Sequence, residues 1–190
     1  MLANNLHQQG FNVIGTSREP EKYTDKVPFK LLRLNIDDDD SIKSFTEELF
    51  KFTKQLDVLV NNAGYMVTGI AEETPIELGR QQFETNFWGT VNCCKFALPY
   101  LQQSHGSIAG ISSVAGLHGL PGRTGYSASK YAMTGFLETL RIENLKKGLH
   151  VMIACPGFTA SNVRFAALTA DGSSQGETPR NEGKRQPAGV

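Results

Sequence analysis

An excess of charge of either sign is absent from this 190-residue sequence: nineteen Lys and Arg balance nineteen Asp and Glu. A neutral chain has no long-range field to draw in nucleic acid or an anionic membrane surface, so its partners are recognised locally. Long apolar runs are missing too. Stretches such as Val58-Leu59-Val60 fall far short of the roughly 20 residues a bilayer crossing needs. Met1 to Gly10 is polar and has neither the basic start nor the apolar core of a secretory signal, which makes the cytosol the expected compartment. Cysteine is scarce. Cys93, Cys94 and Cys155 are an odd set without CxxC spacing, so the expectation is free buried thiols, with no disulfide framework and no metal site.

What is present begins with glycine. Nineteen glycines make one residue in ten, above an average of about 7%, and raise the question of which backbone turns they serve. The length suits one domain. Short apolar runs at Phe11–Gly15, Leu31–Ile36, Val58–Val60, Ser107–Ile111 and His150–Ala154 read as strands. Their nearly continuous apolar character suits strands covered on both faces of a parallel sheet. Between Asp40 and Lys54, Ile42, Phe45, Leu49 and Phe52 recur at helical spacing, with Asp40 or Ser41 as the expected cap. A second helix is expected from Pro75 to about Tyr100, with a break near Gly89. A third runs from about Tyr126 to Lys147 and ends at Gly148. Strands alternating with helices predict an α/β, doubly wound parallel sheet of Rossmann-like type. From Asp171 to Val190 the pattern stops, and a polar surface tail is expected.

Tyr126-Ser127-Ala128-Ser129-Lys130 sets a phenol and an ammonium four residues apart, on one face of a helix. A nearby positive charge lowers a phenol's pKa and makes it a better proton relay near neutral pH. Ser113 stands at the end of the Ser107–Ile111 strand and Asn61-Asn62-Ala63-Gly64 at the end of Val58–Val60, where open α/β sheets bind ligands. Asn86 is a polar residue amid apolar helix neighbours, and Pro156-Gly157 follows the last strand.

In this order and spacing the five motifs resemble the classical short-chain dehydrogenase/reductases, over roughly residues 1 to 160. The resemblance implies a nicotinamide dinucleotide and hydride transfer between it and a small carbonyl or alcohol substrate. It implies Tyr126 as the acid or base on the substrate oxygen and Lys130 as the group that tunes Tyr126 and holds the nicotinamide ribose. Ser113 is then the hydrogen-bond partner of the substrate oxygen, and Asn86 holds a water leading from Lys130 to solvent. Asn62, Ala63 and Gly64 are expected on the adenosine side, and Pro156, Gly157 and Thr159 at the nicotinamide end. The helices near 76–103 and 126–147 are expected to pair copies of the chain as a homo-oligomer.

Thr16-Ser17-Arg18 follows the first strand. An arginine there suits the extra phosphate of NADP, whereas an acidic residue would serve NAD, so NADP is the expected cofactor, with Ser17 and Arg18 beside it. Two departures from the family pattern stand out. Asn35, beside Ile36 at the adenine position, replaces the usual aspartate. The Thr-Gly-x-x-x-Gly-x-Gly turn and the strand before it have no counterpart, since Met1 to Leu6 matches the helix that follows that turn. The expectation is therefore an incomplete Rossmann-type domain over 1–165, then a partial lid and polar tail over 166–190. Two function classes follow: an NADP-linked oxidoreductase, or a catalytically silent chain that binds a partner subunit of the same family without binding cofactor.

Overall fold

The computed structural model describes residues 2–157 and 167–176. A short helix, α1 (Leu2–Gln8), buries none of its residues. It leads into two parallel strands, β1 (Ile14–Ser17) and β2 (Lys30–Arg33), paired with Ile14 opposite Lys30 and Ser17 opposite Arg33. β1 begins three residues later than the apolar run that the sequence suggests and ends two residues later. Strand extent is set by the partner ladder, and Phe11, which precedes that ladder, is 49% exposed.

Helix α2 (Asp39–Phe52) buries Ile42 and Leu49. Its cap is Asp38, not Asp40 or Ser41: the Asp38 carboxylate accepts from the N–H groups of Asp40 at 3.0 Å and Ser41 at 3.3 Å. In a run of four aspartates the backbone decides which one caps, because the capping residue must be extended while those after it are helical. Asp38 has φ −134° and ψ 113°.

A three-stranded parallel sheet holds the centre, in the order β3 (Val58–Asn61), β5 (Ser107–Ile111) and β6 (His150–Ala154). Helices α4 (Gly89–Gln103) and α5 (Thr124–Asn144) pack on it through Cys94, Ala97 and Leu101, and through Met133, Leu137 and Leu140. Leu101, Ile108 and Leu137 are fully buried, each side chain stabilising the fold by roughly 1.5–3 kcal/mol of transfer free energy. α5 ends in a single turn at Leu145–Lys147, after which Gly148 adopts φ +72°, the left-handed closure expected of it.

Among the described residues β1 bonds only to β2, and β3 only to β5. The parallel sheet is therefore split between β1 and β3, at the position where the family pattern places a further strand. Leu2, Phe11, Phe52 and Val58, between 41% and 49% exposed, are among the large apolar side chains left uncovered on these elements and the segments flanking them.

Two further features complete the domain, the first of them the helical interruption expected near Gly89. The long helical stretch after Pro75 is α3 (Ile76–Phe83), a π-helical turn over Glu84–Trp88, and then α4. The irregularity precedes Gly89 and is not caused by it; Gly89 instead lets Ile36 approach, since a Cβ there would lie 2.7 Å from Ile36 Cδ1. A small parallel pair, β4 (Val67–Thr68) with β7 (Leu168–Thr169), brings part of the expected tail back onto the domain. Gln175 is buried there and accepts from Thr68 Oγ1 at 3.2 Å. The pattern thus continues to at least Gly176, because the contact that orders it comes from a segment about a hundred residues away.

Candidate active site

The C-terminal ends of β3, β5 and β6 lie side by side, and the ladder continues beyond the strands. Ser112 N–H donates to Ala154 O at 2.8 Å and Val114 N–H to Pro156 O at 3.1 Å, which sets the segment carrying Ser113 directly beside Pro156-Gly157. On the other flank, Asn61 pairs with Gly110, so Asn62-Ala63-Gly64 leaves the sheet next to the same segment. Asn62, Ala63 and Gly64 are exposed; Ser113 and Tyr126 are half-buried. Thr159 lies outside the described residues.

Ser113 has extended backbone, and its Oγ accepts from Ala115 N–H at 3.1 Å, starting the turn at Val114–Gly116. With that lone pair committed to the backbone, the hydroxyl hydrogen is left to be donated elsewhere. Underneath, a buried hydroxyl cluster ties this turn to α5. Ser112 Oγ and Thr134 Oγ1 lie 2.9 Å apart, and Thr134 Oγ1 donates to Lys130 O at 2.9 Å. At the far end of the turn, the Tyr131 hydroxyl donates to Leu117 O.

α5 places Tyr126 and Lys130 one turn apart, with Lys130 Nζ 5.9 Å from the Tyr126 ring centroid. Only 4% of Lys130 is exposed. Its ammonium donates to Ile111 O, the last carbonyl of β5, at 2.8 Å, and lies 3.8 Å from Met133 Sδ. Burial pulls its pKa down from the usual lysine value to about 8, against an opposing contribution from Cys155. One strong acceptor for three N–H groups leaves donor capacity unspent.

The Asn86 side chain is fully buried within the π-helical turn. Its Oδ1 accepts from Tyr65 N–H at 3.0 Å; its Nδ2 donates to Tyr65 O at 2.9 Å and to Ser129 Oγ at 3.0 Å. Ser129 Oγ in turn donates to Tyr126 O at 2.8 Å. A chain of hydrogen bonds thus runs from the loop after β3 through Asn86 and Ser129 to the first turn of α5. Gln82 Nε2 adds a third hold on Tyr65, donating to its carbonyl at 3.1 Å. Sequence reasoning picked out Asn86 but missed Gln82 and Ser129. Gln82 lies four residues before Asn86, a spacing that puts both amides on one helix face, and Ser129 sits inside the Tyr126–Lys130 motif.

The other expected cofactor residues lie at the end of the β1–β2 pair. Ser17 ends β1 and Arg18 follows it, exposed. Asn35 N–H donates to Ser41 Oγ at 2.9 Å, and Ile36 packs toward Gly89. These residues belong to the smaller sheet, apart from the Ser113–Tyr126–Lys130 group on the larger one. All three cysteines are free thiols. Burial pushes the Cys93 thiol up to about 11 and Cys94 up to about 12, and Cys94 Sγ lies 3.2 Å from Asn61 Nδ2.

A parallel α/β domain that gathers polar groups at the carboxyl ends of its strands belongs to the doubly wound class, whose members bind their ligands at that end. The model of the short chain dehydrogenase family matches residues 1–171, and the chain belongs to that family. Residues covering 87% of it are 36% identical to an uncharacterized oxidoreductase, YusZ, of Bacillus subtilis, of which the chain spans 65%. Among solved structures, a short-chain dehydrogenase from Streptomyces avermitilis superposes with TM-score 0.83 at 30% identity, over 89% of this chain and 66% of that one. ElxO with NADP bound superposes with TM-score 0.76, also at 30% identity, over 80% of this chain and 66% of that one. The chain spans about two thirds of the length of these proteins. Among the described residues no helix is long and apolar enough to cross a membrane.

Proposed function

We propose that this chain is an oxidoreductase acting on a small carbonyl or alcohol substrate in the cytosol, with NADP as the hydride carrier. The observation that carries this reading is the buried ammonium of Lys130, held one helical turn from Tyr126 with N–H groups to spare. Desolvating a cation is costly, and a fold that does so one helical turn from a phenol holds the charge at the site against that cost.

The residues fit the nicotinamide end of such a cofactor. The unspent N–H groups of Lys130 suit ribose hydroxyls, and Pro156-Gly157 lies beside Ser113 to border the ring. When bound, the dinucleotide supplies or accepts the hydride. Tyr126 passes its phenolic proton to the substrate oxygen in reduction and takes it back in oxidation. The Ser113 hydroxyl, whose acceptor side is already bound to Ala115 N–H, donates to that oxygen as charge grows on it. Asn86 and Ser129 hold the Tyr126 turn in place. At the adenosine end, Asn62, Ala63, Gly64, Asn35 and Ile36 would border the base, and Arg18 would meet the extra phosphate.

The apolar side chains exposed on the helices support a homo-oligomer joined through residues 76–103 and 126–147. Ile76 and Ile142 are each 66% exposed and Trp88 is 48% exposed. A second reading has its own observation. The division of the sheet between β1 and β3 favours a catalytically silent chain that joins a partner subunit of the same family.

Titration of the purified chain with NADPH, followed by nicotinamide fluorescence, separates the two: saturable binding supports the enzyme, and none at millimolar cofactor overturns it. Where turnover is measurable, Tyr126→Phe should lower kcat by at least about 100-fold with cofactor affinity unchanged. Retained turnover would remove Tyr126 from the mechanism.

A further inference from the structure

Arg18 is not the only guanidinium at the end of β1. Arg33 stands opposite Ser17 in the parallel register and reaches over the same turn. Its Nη1 donates to Arg18 O at 2.6 Å and its Nη2 to the Glu21 carboxylate at 2.7 Å. The first bond fixes the backbone from which the Arg18 side chain projects. The second gives Arg33 a counter-ion. The Arg18 guanidinium makes no hydrogen bond or ion pair among the described residues, and the nearby Glu19 carboxylate is taken by Lys22 at 2.7 Å. Two cations therefore stand at one strand end, and the one carboxylate that pairs with either of them is the exposed Glu21.

A phosphomonoester carries roughly −1.5 to −2 charges near neutral pH, more than one guanidinium neutralises. Arginine's planar fork matches phosphate oxygens, and two forks on one turn match a dianion in both charge and geometry. Glu21, which occupies one edge of Arg33, competes for the same hydrogen-bond donors.

We propose that Arg33 is a second specificity-determining residue for the extra ribose phosphate of NADP, acting with Arg18, and that Glu21 is a resident counter-ion which that phosphate displaces. This rests on the NADP reading above. Glu21 thereby lowers affinity for NADPH without affecting NADH.

The sign of the Glu21 effect distinguishes this from a purely structural role. If Arg33 merely buttressed the turn, losing its carboxylate anchor would loosen the turn and weaken phosphate recognition. The test is fluorescence titration of the 190-residue chain, as wild type, Arg33→Gln and Glu21→Gln, with NADPH and with NADH. Wild type should prefer NADPH. Arg33→Gln should reduce that preference by about tenfold, the scale of one charge-assisted hydrogen-bond pair. Glu21→Gln should increase it about two- to fivefold, the scale of an exposed ion pair. NADH affinity should be the same in all three.

A preference unchanged in Arg33→Gln, or unchanged or diminished in Glu21→Gln, overturns the assignment while leaving the NADP reading intact. Equal wild-type affinities overturn both. Arg33→Lys, which keeps the charge but lacks the planar fork that meets two phosphate oxygens, should fall between wild type and Arg33→Gln; equality with wild type would overturn the part assigned to the fork.

Discussion

The Asn86 side chain binds both backbone polar groups of Tyr65, accepting from its N–H at 3.0 Å and donating to its C=O at 2.9 Å. In effect an amide side chain does what a neighbouring strand would do for one residue, and it does so from a π-helical turn fully buried against α5. That relationship couples the loop after β3 to the Tyr126 turn and makes the site one mechanical unit.

Asn86→Ala should therefore leave Tyr65 N–H and Ser129 Oγ each short of a partner, with Tyr65 O held by Gln82 alone. Leaving buried polar groups unpaired costs about 1–3 kcal/mol each, so a total loss of about 2–6 kcal/mol is expected. Urea denaturation should show the midpoint falling with an unchanged slope. Asn86→Asp should be no better, because a carboxylate cannot donate to Tyr65 O.

Gly64 sits against the same amide. A Cβ at this position would lie 2.9 Å from Asn86 Oδ1 and 3.6 Å from Lys130 Nζ. Gly64→Ala should push the loop away from Asn86 and cost about 1–3 kcal/mol, as overpacking does. Nearly additive losses in Gly64→Ala, Asn86→Ala and the double variant would show the two positions to be independent; a double-variant loss well below the sum is expected.

The depressed pKa of Lys130 makes stability depend on pH in a definite direction. Its folded value of about 8 lies below the ordinary 10.5, so between these values the unfolded chain binds more protons. Stability therefore rises with pH across this window, and below about 8 the folded state bears the full cost of the buried charge. A depression of this size corresponds to a cost on the order of 3 kcal/mol. Lys130→Met should be more stable than wild type near neutral pH, and the difference should shrink as pH approaches 10.5. Parallel urea midpoints for the two proteins from pH 7 to 10.5 would refute the assignment.

Tyr131 closes the segment that starts at Ser113. Its hydroxyl holds Leu117 O from a half-exposed position, so Tyr131→Phe should cost only about 0.5–1.5 kcal/mol globally. Its larger effect should be local. Amide exchange over residues 114–118 should accelerate while that of Leu137 and Leu140 in the core stays as in wild type.

The strands β5 and β6 match their sequence ranges residue for residue, because the two pair with each other along their full length, Ser107 opposite His150 to Ile111 opposite Ala154. β1 does not: it is an outer strand whose extent comes from its pairing with β2, and apolar character alone displaced it toward Phe11. Tyr126, Lys130, Ser113 and the Asn62–Gly64 loop were legible as candidates because each lies at a fixed offset from an element end. Ser129 and Gln82 were not, since a serine within a helix and a glutamine on its face look like ordinary solvated residues until burial shows otherwise. Ser112 and Thr134 belong with them: their hydroxyls pair across 22 positions of sequence.

Periodicity and strand-end chemistry by themselves determined the alternation of parallel strands and helices, the Tyr126–Lys130 helix face and the absence of any segment fit to span a bilayer. These follow from patterns that repeat within a few residues. Only the tertiary structure decided that Asn86 spends its amide on Tyr65, that Arg33 and Glu21 share the Arg18 turn, and that Leu168 pairs with Val67. Each of these joins residues distant in sequence, and no local preference specifies such a contact: it forms because the folded core brings the groups within hydrogen-bonding reach.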